Sequence, residues 1–301
     1  MAEKSAFVAV VGRPSAGKST LINTLCGQKV SIVSAVPQTT RNTIRGIVNR
    51  EEGQLVFVDT PGRHISEKKL NRKLVELADR ALEESELVLY LIDASRPMGK
   101  EEEELAHAVQ YSRAYPDRTV VALNKIDDKR ADTAGVYSFL QEKLPGIPKE
   151  RQREISAKHS TGVEELLQLL FSLAPAGPRL YPEDTYTDQD VQFRIAEIIR
   201  EKAINNLREE LPHSIYVEVA DTELKDEGRR LWVRAFILVE RESQKGIVVG
   251  KGGEMIKTIR QSAQKELNRI FDWKVELDLR VKVASDWRQN DTVLRRLIDR
   301  S

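Results

Sequence analysis

Ala6-Phe7-Val8-Ala9-Val10-Val11-Gly12-Arg13-Pro14-Ser15-Ala16-Gly17-Lys18-Ser19 decides the architecture of the first half of this 301-residue chain. Residues 6–11 are an unbroken apolar run and read as a buried strand. The next eight fit G-x-x-x-x-G-K-[S/T], a loop that ends a strand and opens a helix. Its glycines let backbone N–H groups approach phosphate oxygens, and the helix N-terminus adds a favourable dipole. Gly12, Ser15, Ala16, Gly17, Lys18, Ser19 and Thr20 are the residues expected around those phosphates. Lys18 reaches the terminal phosphates, and Ser19 offers a hydroxyl to Mg²⁺.

Three further signatures follow in order, each at the end of a strand. Val58-Asp59-Thr60-Pro61-Gly62 closes the strand at 54–59. There Asp59 holds Mg²⁺ through water, and the Gly62 N–H stabilises the last phosphate together with Lys18. Asn124-Lys125-Ile126-Asp127 follows the strand at 119–123. A carboxylate at Asp127 accepts both the ring N–H and the exocyclic amine of guanine, a pattern adenine reverses, so the element selects GTP. Ser156-Ala157-Lys158, after a short strand at 152–156, adds a backbone N–H to the guanine oxygen. Each motif is weak alone. In this order they make the layout of a P-loop GTPase that binds GTP and GDP with Mg²⁺.

The remaining patterning agrees. Strands at 43–50 and 54–59 are joined by a Glu51-Glu52-Gly53 turn, and a further strand spans 86–93. They alternate with helices at 18–25, 70–84, 100–112, 135–143 and 162–173. Such alternation predicts an α/β domain with a mixed, mostly parallel sheet, the turn-linked pair placing one antiparallel strand at an edge. Three prolines and a glycine in residues 174–182 break the chain. Beyond it lie a helix at about 188–208, strands at 214–220 and 230–239, a helix at 253–271 and a strand at 274–283. The expected division is a GTP-binding domain at 1–174, a linker at 175–187 and a second domain at 188–301.

That second domain carries Gly250-Lys251-Gly252-Gly253 immediately before a helix, the G-x-x-G turn of an α+β KH domain, which clamps single-stranded nucleic acid. Net charge is only +1 overall. The window from Arg241 to Arg269, however, holds seven basic and three acidic residues, 7 − 3 = +4. Lys245, Gly250, Lys251, Gly252, Gly253 and Lys257 are the expected RNA contacts. Trp232, Trp273 and Trp287 read as core residues rather than stacking platforms.

A 32% charged, 40% hydrophobic composition describes a globular protein. The single cysteine, Cys26, cannot form an intrachain disulfide and reads as a small core residue of a cytoplasmic protein. The sequence runs almost directly into a strand, so no signal peptide is expected, and no stretch approaches a bilayer span. His64, His107, His159 and His213 lack ligand spacing, so no metal other than Mg²⁺ is expected.

Taken with Tyr181-Pro182-Glu183-Asp184, Thr187-Asp188-Gln189 and Val239-Glu240-Arg241, the motifs resemble the Era family of bacterial ribosome-assembly GTPases over essentially the whole length. The resemblance implies a type II KH domain. It also implies binding to the 3′ end of small-subunit (16S) rRNA, a role in maturation of the small ribosomal subunit, and peripheral association with the inner face of the membrane. A monomer is expected. Within Pro37-Gln38-Thr39-Thr40-Arg41 it assigns a Mg²⁺-binding threonine, Thr40, with Thr39 as the alternative. Two positions depart from the family pattern. Ser15 replaces an asparagine that helps bind potassium in related enzymes, and Arg63 stands where a hydrophobic residue is usual. Neither Arg63 nor the residue it replaces can act as a general base, so the water-activating group is unknown and turnover is expected to be slow. A tRNA-modification GTPase and a non-hydrolysing RNA chaperone are the competing readings.

Overall fold

The computed structural model describes residues 2–34, 36, 39, 41–60 and 69–285. Thr40, Gly62, Arg63, His64 and Trp287, all singled out above, lie outside them. In chain order the first part contains β1 (Lys4–Val11), α1 (Lys18–Cys26), β2 (Ile44–Arg50), β3 (Gly53–Asp59), α2 (Lys69–Glu84), β4 (Leu87–Asp93), α3 (Lys100–Gln110), β5 (Thr119–Asn124), α4 (Thr133–Lys143), β6 (Gln152–Glu154) and α5 (Val163–Leu173).

The apolar runs become parallel central strands because both faces of each are buried. Every residue of β3, β4 and β5 is buried. The sheet order is β2-β3-β1-β4-β5-β6. Only β2 runs antiparallel, pairing Ile44 with Asp59 and Arg50 with Gly53 across the tight turn. This topology brings the C-terminal ends of β1, β3, β4 and β5 to one edge, where ligands of open α/β sheets bind.

The proline-rich segment is tied down rather than loose. The Gln54 carboxamide accepts from the N–H groups of Leu180 (2.8 Å) and Tyr181 (2.9 Å) and donates to Tyr181 O (2.9 Å). Ile47 N–H, on the edge strand β2, donates to Tyr186 O (2.9 Å), which covers part of an open sheet edge. The chain accordingly packs with the first unit as far as Asp188.

The second unit is formed by Gln189–Arg300 together with Ile32–Thr39. Its elements are α6 (Val191–Asn206), α7 (Leu211–Ser214), β7 (Tyr216–Lys225), β8 (Arg230–Val239), α8 (Glu242–Val249), α9 (Glu254–Ile270) and β9 (Lys274–Val283). Asp190 caps α6 by accepting from Phe193 N–H at 2.7 Å. In the sheet β7-β8-β9, β7 pairs antiparallel with β8 and β8 parallel with β9. The alternating buried residues Leu231, Val233, Ala235, Ile237 and Val239 of β8 meet Ile195, Ile199, Ile259, Ala263 and Leu267 of α6 and α9.

Two features differ from the sequence reading. The turn is flanked by two helices, since α8 precedes it, giving α-β-β-α-α-β with the short α7 inserted. Residues 242–249 contain a glycine, an isoleucine and two valines, a poor helix on propensity alone. The helix forms because Val248 is fully buried and because Gln244 Oε1 accepts from the N–H of Arg241 (3.2 Å) and of Glu240 (2.9 Å). Trp232 does not join the core. It is half-buried on the other face of β8, with Lys225 and Arg234 over its ring at 5.2 and 4.9 Å. Trp273 does pack against the core and stacks on Phe271.

Candidate nucleotide and nucleic-acid sites

The loop between β1 and α1 is held in shape from behind. A Cβ on Gly12 would lie 2.4 Å from Leu91 O, and one on Gly17, at φ +102°, 2.4 Å from Asn124 Nδ2. Only glycine fits either place. Ser15 is exposed and in the left-handed region at φ 65°, an uncommon conformation for a residue with a side chain. Ala16 is buried, and its carbonyl accepts from Asn124 Nδ2 at 2.8 Å.

Lys18 is buried within this loop, its Nζ donating to Gly12 O (2.9 Å) and Arg13 O (3.2 Å). Burial pushes the ammonium below its usual range, against the opposing pull of Asp59 and Glu102. A buried cation resting on neutral carbonyls is what an incoming phosphate would stabilise. Ser19 Oγ donates to Asp59 Oδ2 at 2.8 Å, and Ser31 Oγ donates to the same oxygen at 2.7 Å. Hydroxyl and carboxylate oxygens are the donors that suit Mg²⁺, so the residues present fit that ion. Ser31 escaped the sequence reading because nothing local marks it. Thr20, on α1, accepts at its carbonyl from Thr24 Oγ1, which also donates to Ala157 O at 2.8 Å.

The residues expected to read guanine converge from the ends of β5 and β6. Asn124 Oδ1 accepts from Ala157 N–H at 2.9 Å, tying the Ser156-Ala157-Lys158 turn to the phosphate loop through one carboxamide. Ser156 Oγ donates to Asp127 Oδ1 at 2.6 Å. That bond, aided by His159 and Lys158, holds the Asp127 carboxyl below its usual range. Asp127 therefore stays ionised and acceptor-only, as guanine recognition requires. His159 Nε2 stands 3.6 Å from Asp127 Oδ2. Lys125, at φ 67°, donates from Nζ to the buried Asp93 at 2.7 Å, and Lys158 is exposed. Asp93 closes the apolar run of β4 as Asp59 closes that of β3, a signal the sequence reading did not use. Thr39 Oγ1 donates to Val36 O at 2.6 Å. Among the described residues, no cluster of three or more His, Cys, Asp or Glu could hold a metal.

The second candidate site is the turn between α8 and α9. Gly250, Gly252 and Gly253 all have positive φ, at 75°, 60° and 80°. A Cβ on Gly250 would press on Met255, 2.7 Å from its Cβ and 2.9 Å from its backbone nitrogen. At Gly252 and Gly253 a Cβ would meet nothing within 4 Å. Lys251 and Lys257 are exposed beside the turn, and Lys245 lies 3.5 Å from Glu242 on α8. The Gly253 N-terminus of α9 adds its dipole to this cationic surface.

Residues 7–125 match the family described as 50S ribosome-binding GTPase, and residues 210–288 match the KH domain family. The chain is 54% identical to GTPase Era of Treponema denticola over 293 residues, covering 97% of this chain and 99% of that one. It is 45% identical to GTPase Era of Borreliella burgdorferi over 296 residues, covering 98% and 100%. Among solved structures it superposes with a TM-score of 0.91, at 34% identity over 99% of each chain, on Era in complex with MgGDPNP and nucleotides 1506–1542 of 16S ribosomal RNA. A variant of Aquifex aeolicus Era bound to GDP·AlF4⁻ matches with the same TM-score at 35% identity, again over 99% of each chain.

Proposed function

The chain belongs to the Era family of GTPases, and from that premise we propose that it is a GTP-controlled switch on small-subunit rRNA. It hydrolyses GTP to GDP and phosphate. Its KH unit binds the 3′ end of 16S rRNA and assists maturation of the small ribosomal subunit. The observation that carries this reading is a complete guanine-nucleotide constellation in one unit and a G-x-x-G turn between two helices in the other.

In this reading the residues divide the work as follows. Gly12, Ser15, Ala16, Gly17, Lys18, Ser19 and Thr20 surround the phosphates with backbone N–H groups, and Lys18 exchanges its two carbonyl partners for phosphate oxygens. Ser19, and Asp59 through water, would hold Mg²⁺, which when bound would supply charge neutralisation for the transferred phosphoryl group. Asn124 locks the phosphate loop to the guanine loop, Asp127 reads the base, and Asp93 orients Lys125. Gly62 and Thr40 keep the roles the family resemblance implies. At Gly252 and Gly253 the backbone lies open to a sugar-phosphate chain flanked by Lys251, Lys257 and Lys245. The resemblance also supports a cytoplasmic monomer that contacts the membrane peripherally. The described residues include no helix long and apolar enough to cross a membrane.

GTP turnover measured with and without a 16S rRNA 3′-end oligonucleotide tests the proposal. Slow turnover and saturable oligonucleotide binding are expected. A protein that binds GTP without ever releasing phosphate would refute the switch and support an RNA chaperone.

A further inference from the structure

Arg13, the second residue of the phosphate loop, is turned into the protein interior. Its side chain is 5% exposed and its Nε is ion-paired with Glu102 Oε2, on a carboxylate that is 0% exposed. Glu102 lies in the first turn of α3, where the helix dipole favours a negative charge. The Tyr90 hydroxyl, from β4, donates to Glu102 Oε1 at 2.6 Å. Arg13 Nη1 also donates to Pro97 O at 3.2 Å, and Arg96 Nη1 returns a contact to Pro14 O at 3.4 Å. Two consecutive loop residues, 13 and 14, are thus stapled to the segment joining β4 to α3.

Such a cluster is a costly way to fill a core. Removing a guanidinium and a carboxylate from water offsets much of their attraction, and Arg13 Nη2 is left without a hydrogen-bond partner. Burial pushes the Glu102 carboxyl above its usual range despite the opposing Tyr90 hydrogen bond and Arg13 guanidinium. An apolar trio would serve stability as well. What an apolar trio would not do is fix the backbone at residue 13. That backbone matters, because Arg13 O is one of the two carbonyls that steer Lys18 Nζ, and it borders Gly12, which has no lateral freedom against Leu91 O.

We propose that Glu102 is a positioning residue for the nucleotide site: with Tyr90 it grips Arg13 and holds the phosphate loop in its binding form before nucleotide arrives. The inference rests on the assignment of that loop to guanine nucleotide. Preorganisation of this kind strengthens binding of substrate, product and transition state alike, so it acts on affinity rather than on the chemical step.

The test is stopped-flow dissociation of a fluorescent GDP analogue, with steady-state GTP kinetics and thermal unfolding of each variant. Wild-type binding that is lost in Lys18→Ala confirms the loop assignment; binding unaffected by Lys18→Ala would refute that assignment and this inference together. Glu102→Gln should speed GDP release about tenfold or more, from the loss of the buried ion pair, and Tyr90→Phe about threefold, from the loss of a hydroxyl hydrogen bond. KM should rise in parallel while kcat at saturating GTP stays within about threefold. Tyr90→Phe leaves the ion pair in place and keeps the test open if Glu102→Gln fails to fold. If the folded variants melt at lower temperature but release GDP at the wild-type rate, with Lys18→Ala still unable to bind, the cluster is a packing element and the inference is overturned.

Discussion

Gly12 and Gly17 have protein behind them, whereas Gly252 and Gly253 have open space. A side chain at the first pair would strike Leu91 O and Asn124 Nδ2, both at 2.4 Å; at the second pair it would meet nothing within 4 Å. The phosphate loop is therefore shaped from inside the fold, by neighbours that leave it one conformation. In the turn between α8 and α9 only Gly250 is backed by protein; Gly252 and Gly253 adopt positive φ and face open space, where the proposed RNA contact would be made. One site binds a small, rigid, highly charged ligand that rewards preorganisation. The other is proposed to meet a flexible strand, which rewards access and positive charge.

The largest effect that could break this contrast is at the base-reading end of the first site. Asp127→Asn reverses donors and acceptors against guanine. GTP affinity should fall roughly 10²- to 10⁴-fold, with preference moving to xanthosine triphosphate, because a site built for specific hydrogen bonds rejects a mismatched edge strongly. Competition binding measures it, and retained guanine preference would remove Asp127 from the site. Next comes a matched pair of alanines. Gly12→Ala should cost about 3 kcal/mol in urea titrations, from overpacking against Leu91 O. Gly252→Ala should cost about 1 kcal/mol, from positive φ alone. Equal costs would erase the distinction between the two turns. Lys251→Ala should weaken RNA binding a few-fold and reduce the slope of log K against log salt by about 0.7, one phosphate's share on a single strand. An unchanged slope would place Lys251 off the phosphate chain. The smallest effect concerns Cys26. Burial pushes its thiol up to about 12, so iodoacetamide at pH 8 should leave the folded protein unmodified and label it only on unfolding.

The parts legible in the sequence are those where neighbouring residues act together. Gly12-Arg13-Pro14-Ser15-Ala16-Gly17-Lys18-Ser19 and Asn124-Lys125-Ile126-Asp127 each carry their chemistry within one short loop, and the strands that present them are continuous apolar runs. The parts that escaped are pairings across the chain. Ser31 reaches Asp59 over 28 residues and Lys125 reaches Asp93 over 32. Periodicity and local motif carry no trace of such partners, and Arg13, Glu102 and Tyr90 look individually like a loop, a helix face and a strand. The helix α8 escaped for a different reason: Gly246, Ile247, Val248 and Val249 disfavour helix locally, and burial of Val248 overrides that preference. The linker at 175–187 reads as a connector, yet Gln54 holds its backbone at Leu180 and Asn49 holds it at Thr185.

The central claim is that one chain houses two chemically independent sites, one for GTP and one for a single strand of rRNA. Filter binding of a small-subunit rRNA 3′-end oligonucleotide across a salt series, with wild type and with Gly252→Asp/Gly253→Asp, tests it most directly. Both positions have room for a side chain, so the fold should survive, while two carboxylates would repel the phosphate chain. The wild type should show a log K against log salt slope of roughly −2 to −3.5, corresponding to about three to five phosphates. The double variant should lose RNA binding and keep its GTP affinity. Wild-type RNA affinity in the double variant, or a parallel loss of GTP binding, would contradict the account.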